Sequence, residues 1–269
     1  MLVLSKLSPS APRLSPGLNF QELGFRLHCH DTMDYLDLTL PTSAENIACD
    51  EALLDWRERG GGSEILRIWE PLEHFVVLGH GNKAVLEVNL EACRQRGIPI
   101  LRRCSGGGTV LQGPGCLNYA LLLNTAGSSL FQSITRTNAF IMQRNAEALA
   151  SVLGRAVQVE GFTDLAINAA KVSGNAQRRR RNWILFHGTF LLDFDASLME
   201  ALLRAPSKQP HYRQKRSHTE FLARIESQAA AIKTALRKCW GASEPLQDFP
   251  HALLKQLCND KYSKDEVVS

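Results

Sequence analysis

Residues 102–111 read Arg-Arg-Cys-Ser-Gly-Gly-Gly-Thr-Val-Leu and follow the short apolar segment 98–101. Three consecutive glycines remove every Cβ from one turn, so that backbone N–H groups can approach an anion closely. Guanidinium groups such as those of Arg102 and Arg103 pair with phosphate or carboxylate through two hydrogen bonds. The stretch predicts an anion-binding loop. Because glycine-rich turns are common, the prediction depends on what lies elsewhere in the chain.

A second polar segment, residues 171–177, reads Lys-Val-Ser-Gly-Asn-Ala-Gln and is followed by His-Gly-Thr at 187–189. Lys171 could neutralise an α-phosphate and an attacking carboxylate at once, which stabilises the charge of adenylate formation. An isolated lysine at a strand end is more often simply solvated. Together the two segments suggest a nucleotide-dependent acyl-transfer enzyme. Since adjacent strand residues point to opposite faces, only one of the two arginines is expected to face the ligand, and Arg103 is nearer the loop.

The composition excludes several other classes of protein. A content of 44% hydrophobic and 22% charged residues is typical of a globular protein, and a net charge of +4 is too small to indicate nucleic acid as a partner. No apolar run approaches the roughly 18 residues that span a membrane. The seven cysteines lack CxxC spacing, which favours reduced cytoplasmic thiols over disulfides or zinc. Neither a P-loop sequence nor a GxGxxG after a strand is present.

The residue pattern predicts an α+β protein with a central mixed, largely antiparallel sheet flanked by helices, because helices and strands do not alternate strictly. A capping box at Thr42–Glu45 predicts a helix over 43–58, and Gly113-Pro114-Gly115 predicts a hairpin between strands 109–112 and 117–123. Further helices are predicted from Ser128 or Ser129 to Leu153, over 195–203 and over 217–239, and further strands at 65–69, 74–79, 98–102, 157–160, 165–168, 171–177 and 183–193.

Four ordered stretches resemble the lipoate–protein ligase family, within the wider superfamily of biotin/lipoate ligases and octanoyltransferases. They are RRCSGGGTVLQGPGCLNYALLL (102–123), GFTDLAIN (161–168), KVSGNAQRRRRNWILFHGTFLLDFD (171–195) and PSKQPHYRQKRSH (206–218). The resemblance covers residues 35 to 220 approximately. It implies a class II synthetase/biotin-ligase-like catalytic core over 29–215, with a helical C-terminal extension over 216–269. Residues 1–28 are predicted to be a poorly structured lead-in; an organellar transit peptide there is the alternative to a plain cytoplasmic N-terminus.

The resemblance also implies a two-step reaction. Lipoate or octanoate attacks ATP, bound as MgATP, to give an acyl-adenylate, and the acyl group then passes to a lysine of a lipoyl domain. Lys171 would be catalytic. The nucleotide would be held by Arg103, Gly106, Gly107, Gly108, Thr109, Val110, Leu111, Asp164 and Lys171. The acyl group would lie against Ser105, Lys171, Gly174, His187 and Thr189. Asp164 would also be the candidate ligand for Mg²⁺.

The implied acceptors are lipoyl domains of 2-oxoacid dehydrogenase complexes or the H protein of glycine cleavage. Many family ligases carry a C-terminal accessory domain that this chain lacks in recognisable form, which leaves open a requirement for an accessory ligase subunit. The four arginines at 178–181 are either a docking patch for an acidic acceptor or a solvated hairpin tip.

The thioester-forming branch of the superfamily uses a cysteine nucleophile and no ATP. No cysteine occurs between Cys116 and Cys239 in this chain, which favours the ligase. The alternatives are ATP-independent octanoyl or lipoyl transfer between carrier proteins, a non-catalytic lipoyl-binding module and, more weakly, biotin ligation.

Overall fold

Eleven strands and eight α-helices make up the part of the chain that the computed structural model describes, residues 33–206 and 209–262. The strands are β1 Met33–Asp37, β2 Ile65–Trp69, β3 Phe75–Leu78, β4 Ile100–Arg102, β5 Val110–Gln112, β6 Cys116–Asn124, β7 Gln158–Glu160, β8 Asp164–Ile167, β9 Ala170–Arg179, β10 Trp183–Leu191 and β11 Ala242–Pro245. The helices are α1 Ser43–Gly60, α2 Ala84–Glu87, α3 Leu90–Gln95, α4 Ile134–Leu153, α5 Ala196–Leu202, α6 His218–Phe221, α7 Ala229–Trp240 and α8 His251–Leu257. The lead-in predicted at 1–28 lies outside the described residues.

An eight-stranded sheet has the order β11-β1-β2-β6-β10-β9-β8-β7, and a second sheet has the order β4-β3-β5. Strands β11, β1 and β2 run parallel, whereas every pair from β2 to β7 is antiparallel. The predicted mixed, largely antiparallel sheet with flanking helices is therefore confirmed. No helix in the described ranges is long and apolar enough to cross a membrane.

Side-chain alternation along β10 shows how the large sheet is covered on both faces. Ile184, Phe186 and Phe190 pack into a cluster with α4 and α7, whereas Trp183 and Leu185 pack into a cluster with α1 on the opposite face. Successive residues of a strand point to opposite faces. The polar residues at 187 and 189 therefore project toward α1 and the small sheet.

The predicted hairpin through Gly113-Pro114-Gly115 is wrong. Strand β5 pairs with β3 in the small sheet, whereas β6 pairs with β2 and β10 in the large one. The turn itself is present, with Gly115 at φ +87°. Its residues set the direction of the chain but not the pairing, because β5 buries Leu111 against Val76 and Leu78 in a separate cluster.

Two helices differ from their predicted bounds. The long helix begins at Ile134 behind a Ser133 cap and not at Ser128 or Ser129, although it ends at Leu153 as predicted. The helix predicted over 217–239 is divided into α6 and α7. The intervening backbone bonds to strand ends, with Ala223 N–H donating to the Lys171 carbonyl and Ile225 N–H to the Leu191 carbonyl. Those bonds hold the segment extended, so the helix cannot continue through it.

The chain after residue 216 is not helical throughout. Strand β11 adds a parallel edge strand to β1, and Leu254 of α8 packs in the same apolar cluster as α1. The side chains of Lys261 and Tyr262 both bond the carboxylate of Glu51 on α1. This segment therefore contributes to the main sheet and to the core.

Candidate active site

Arg103 lies beneath the glycine loop that leaves strand β4. Its guanidinium donates to the carbonyl oxygens of Gly106 at 2.6 Å and Gly108 at 2.8 Å, and its Nε donates to Ser105 Oγ at 3.0 Å. The Arg103 side chain is buried, whereas Gly106, Gly107 and Gly108 are exposed. The loop is folded around this guanidinium, with two of its carbonyls turned inward.

Arg102 also binds backbone. Its Nη1 donates to the carbonyls of Gly79, His80 and Asn82, the last at 2.6 Å. Both arginines therefore hold backbone carbonyls in this structure, and the assignment of Arg103 to the nucleotide stays a prediction. Gly107 has φ +91°, and a Cβ at Gly79 would overlap the Gly107 carbonyl, so that the loop can lie on the end of β3 only because both are glycine.

The loop meets the second polar segment at Ala176 of β9. A Cβ on Gly107 would lie 3.5 Å from the Ala176 Cβ. Ala176 pairs with His187, and Gly174 pairs with Thr189, across β9 and β10. The structure thus brings together the two segments that the sequence had separated by more than sixty positions.

A row of hydrogen bonds connects Ser105 to α1. Ser105 Oγ lies 2.6 Å from His187 Nε2, and His187 Nδ1 lies 2.9 Å from Asp50 Oδ2. Asp50 Oδ1 accepts from Arg67 Nη1 at 2.5 Å. Ser105 Oγ accepts from the Arg103 Nε–H, which can only donate, and it shares a second hydrogen bond with His187 Nε2.

The charge on Asp50 is held by its neighbours. Burial raises the pKa of this carboxyl, but the opposite charge of Arg67 and the hydrogen bond from His187 outweigh it, and the pKa lies below its usual value. Arg67 is itself fully buried and also donates to the carbonyl of Asn46 at 2.9 Å. Its Nε, by contrast, is buried without a hydrogen-bond partner. A buried ion pair is costly to break on one side only.

Serine, histidine and aspartate stand in the order found in hydrolases that use a serine nucleophile. Ser105, however, is 0% exposed, and its Oγ is coordinated by Arg103 as well as His187. A nucleophile needs a free approach to the acyl carbon. The arrangement instead ties the glycine loop to β10 and to α1.

Lys171 extends from β9 toward the neighbouring strand β8. Its Nζ lies 2.8 Å from Asp164 Oδ1, and Asp164 Oδ2 accepts from the Tyr212 hydroxyl at 2.8 Å. The Lys171 side chain is 23% exposed and that of Asp164 13%. A Cβ on Gly174 would lie 2.8 Å from Lys171 Nζ, so the absence of a side chain at 174 leaves room for the ammonium.

Thr189 closes a ring of hydrogen bonds between the two sheets. Its Oγ1 accepts from Gln112 Nε2 at 2.7 Å and donates to Asn118 Oδ1 at 2.5 Å, while Asn118 Nδ2 donates to Gln112 Oε1 at 3.0 Å. Each polar atom used here has its partner inside the ring. Thr189 therefore fixes the small sheet, which carries the glycine loop, to the large one.

The remaining predicted residues are Thr109, which directly precedes β5, and Val110 and Leu111 within it. Thr109 Oγ1 accepts from Asn82 Nδ2 at 3.0 Å. Val110 is partly buried against the α1 cluster, whereas Leu111 is buried in the cluster of the small sheet. The side chain of Leu111 points away from the exposed loop, and a contact with nucleotide could come only from its backbone.

The assignment of Asp164 as a ligand of Mg²⁺ stays a prediction. No group of three or more His, Cys, Asp or Glu side chains that could hold a metal occurs among residues 33–206 and 209–262. Both carboxylate oxygens of Asp164 are already bonded, to Lys171 and Tyr212. Mg²⁺ commonly binds to substrate phosphates with few protein ligands.

The run of arginines at 178–181 is only partly available to a partner. Arg180 donates twice to Asp55 Oδ1, at 2.7 and 3.0 Å, and Arg179 donates to the Phe131 carbonyl and to Thr137 Oγ1. Arg181 is exposed. Two of the four guanidiniums therefore stabilise the fold, and the docking patch stays a hypothesis for the others.

The cysteines that flank the loop are packing residues. Cys104 and Cys116 are buried, and burial raises the pKa of each thiol to about 12. A thiol of this kind is almost entirely protonated at neutral pH and is a poor nucleophile.

Sequence reasoning missed five residues of this site, namely Asp50, Arg67, Gln112, Asn118 and Tyr212. A signal for two of them was present. Asp50 lies among the apolar residues of a helix, and Arg67 lies in the middle of the apolar run 65–69. Opposite charges within apolar segments must be paired if they are buried.

Comparisons with known proteins agree with this geometry. A family model described as the lipoyl protein ligase A/B catalytic domain matches residues 42–255. The octanoyltransferase LipM of Brevibacillus brevis is 27% identical, over a segment that covers 86% of this chain and 96% of the relative.

Two solved structures show the same fold. A bi-partite lipoate protein ligase from Thermoplasma acidophilum, described with its E2 lipoyl domain, has a TM-score of 0.71 at 23% identity and covers 88% of this chain and 96% of that one. A lipoate-protein ligase A bound with ATP has a TM-score of 0.70 at 22% identity and covers 88% and 98%.

Proposed function

Because the chain belongs to the family of lipoyl protein ligase A/B catalytic domains, we propose that it activates lipoate or octanoate with ATP and transfers the acyl group to a lysine of a lipoyl domain. The observation that carries the proposal is the position of Lys171. Lys171 lies on β9, the strand that the exposed glycine loop approaches at Ala176. The chain has no cysteine between positions 116 and 239 that could form a thioester instead.

In the first step a carboxylate oxygen of the acid attacks the α-phosphorus of ATP, and the bond to the departing pyrophosphate breaks. Negative charge accumulates on the phosphate oxygens and is transferred to the leaving group. Lys171 would neutralise the α-phosphate and the carboxylate together. With the carbonyls of Gly106 and Gly108 turned toward Arg103, N–H groups of the loop are left to bind phosphate.

In the second step the neutral amine of the acceptor lysine attacks the acyl carbon, and AMP leaves with the electron pair of the anhydride bond. The acceptor nitrogen loses one proton in the process. Asp164 Oδ1 lies 2.8 Å from the Lys171 ammonium. We expect phosphate oxygens to share this charge when the nucleotide binds, with Tyr212 retaining the carboxylate in place.

An ATP-independent transferase is the second candidate, and one observation favours it. Octanoyltransferase LipM of Brevibacillus brevis matches this chain over 96% of its own length. Such a reaction through a thioester requires an activated thiol. The raised pKa values of Cys104 and Cys116 argue against either as that thiol, which is why we place the ligase first.

The partners proposed are lipoyl domains of 2-oxoacid dehydrogenase complexes or the glycine cleavage H protein. A requirement for an accessory ligase subunit also belongs to the proposal, since a bi-partite ligase of Thermoplasma acidophilum has the same fold.

The test is the intact mass of an apo lipoyl domain after incubation with this protein under three conditions: lipoate with Mg-ATP, lipoate without ATP, and octanoyl-acyl carrier protein without ATP. We expect a lipoyl mass gain only in the first. A gain only in the third would establish the transferase and overturn the ligase. The double variant Cys104→Ala/Cys116→Ala serves as the matched control and should retain the ATP-dependent gain.

A further inference from the structure

A row of four hydrogen bonds crosses the core on the sheet face opposite the candidate active site. Trp240 Nε1 donates to Asn145 Oδ1 at 2.9 Å, and Asn145 Nδ2 donates to the Tyr119 hydroxyl at 2.7 Å. The Tyr119 hydroxyl donates to Asn175 Oδ1 at 2.6 Å, and Asn175 Nδ2 donates to the Thr163 carbonyl at 2.7 Å. The row joins the end of α7 to the turn between β7 and β8.

The direction of the bonds is the same throughout. Each donor in the row bonds the next group on the way to Thr163, and Asn175 Nδ2 also donates to Ser173 Oγ at 3.3 Å. Asn145 is 0% exposed, Tyr119 1% and Trp240 9%. A buried polar group left without its partner costs more than the bond itself contributes. The row is therefore sensitive to the loss of any one member.

Gly188 shows that the fold is built around this row. A Cβ at position 188 would overlap Asn175 Oδ1 and approach Tyr119 Cε1. Its neighbours His187 and Thr189 point to the other face and make the contacts of the active site. The His-Gly-Thr sequence thus serves both faces of the sheet, with the glycine leaving space for the Tyr119–Asn175 bond.

The row ends next to the residue that holds the catalytic lysine. Asn175 makes two hydrogen bonds with Thr163, because the Thr163 Oγ1 also donates to the Asn175 carbonyl at 2.9 Å. Thr163 directly precedes Asp164, whose carboxylate lies 2.8 Å from Lys171 Nζ. Asn175 is itself four residues after Lys171 on the same strand.

We propose that Tyr119, Asn145, Asn175 and Trp240 are positioning residues, which hold the β7–β8 turn so that Asp164 sets the place of Lys171. The expected effect on kcat rests on the proposed function, whereas the expected effect on the order of the β7–β8 turn does not. The Tyr119 hydroxyl is the central link, because one oxygen atom makes both of the middle bonds of the row, as acceptor and as donor.

The test uses Tyr119→Phe in the full chain, with two measurements. Hydrogen exchange of the segment 158–167 is measured without any substrate, and kcat and KM are measured for acylation of an apo lipoyl domain. We expect faster exchange in this segment and a kcat lowered roughly tenfold, because the substitution removes both buried hydrogen bonds of the Tyr119 hydroxyl. KM for the acceptor should not change.

Tyr262→Phe is the matched control, because the Tyr262 hydroxyl also makes a buried bond, to Glu51, outside this row. It should lower stability without changing exchange at 158–167 or kcat. Equal exchange in wild type and Tyr119→Phe would overturn the proposal, and so would faster exchange with an unchanged kcat.

Trp240→Phe tests the far end of the row and replaces Tyr119→Phe if that variant does not fold. It removes the Nε1 donor of the first bond together with part of the aromatic ring system. Since both variants interrupt one network, their effects on exchange at 158–167 should be less than additive in the double variant. Additive effects would mean that the bonds act separately, and would contradict the proposal that the four residues act as one network. If wild type shows no acylation at all, the proposed function fails, and the exchange measurements alone decide whether the turn is held in this way.

Discussion

Ser105 Oγ and His187 Nε2 lie 2.6 Å apart, although 82 positions separate the two residues in the sequence. This contact joins the glycine loop on the small sheet to the central antiparallel strand of the large one. His187 in turn bonds Asp50, so that the loop is fixed through a charged, buried group of α1. The loop that would receive phosphate is therefore held in one conformation by the core, so that binding costs less conformational entropy of the loop.

Replacement of Lys171 by alanine should abolish formation of the acyl-adenylate. The ammonium is the cation that we place at the transferred charge, and loss of one such group commonly reduces kcat by about 10²–10³. The measurement is pyrophosphate release with lipoate and ATP. Lys238→Ala, an exposed lysine on α7, is the control and should behave as wild type. Near-wild-type release by the Lys171 variant would contradict the mechanism.

Gly174→Ala should impair the reaction while the protein stays folded. The added Cβ would lie 2.8 Å from Lys171 Nζ, and the long lysine side chain can move aside at little cost. The ammonium would then leave the position set by Asp164. We expect kcat to fall about tenfold or more with a melting temperature close to that of wild type. Gly81→Ala is the matched substitution, since a Cβ there meets no atom within 4 Å; a kcat equal to that of this control would show that the place of the ammonium does not matter.

Asp50→Asn should destabilise the protein in a pH-dependent way. The pKa of Asp50 is lowered in the folded state by Arg67 and His187 despite burial. The ionised carboxylate therefore contributes stability that is fully present above the unfolded value, near pH 4, and is lost as the pH falls through the lower folded pKa. Urea unfolding at pH 7 should show a loss of about 3–5 kcal/mol, because Arg67 is left buried without its counter-charge. A loss that is the same at pH 3 and pH 7 would contradict this account.

Glu64→Gln should stabilise the protein at alkaline pH. Burial raises the pKa of the Glu64 carboxyl to about 7, against the lowering effect of the Asn124 N–H and Arg144. An acid with a raised folded pKa binds its proton more tightly when folded, so wild-type stability decreases as pH rises from the unfolded value through about 7. The glutamine still accepts from Asn124. Thermal unfolding at pH 8 should show a gain of about 2 kcal/mol, and the gain should be absent at pH 4.

Much of the fold could be predicted from local patterns. The capping box at Thr42–Glu45 and the glycine at residue 60 bounded α1, because a helix end is determined by residues close in sequence. The hairpin at 113–115 could not be predicted correctly in this way. Which strand β5 pairs with depends on where Leu111 can be buried, and that is decided by distant residues of β3.

The same distinction between local and distant interactions applies to the candidate site. Glycine triplets, an isolated lysine and the His-Gly-Thr sequence can be identified in the sequence, because their chemistry depends on residue type and close spacing. The residues that hold these groups in place could not be identified from the sequence pattern. Asp50, Tyr212 and Asn175 bond His187, Asp164 and Thr163 respectively, and they do so only when β8, β9 and β10 are aligned and α1 packs on one face.

By itself, therefore, the sequence determined the kinds of chemical group available and the helices and strands that carry them, since both follow from local interactions. The tertiary structure alone decided that Arg103 supports the loop from inside and that Lys171 pairs with Asp164. Contacts of that kind depend on strand register and on the burial of apolar faces, which the whole chain sets together.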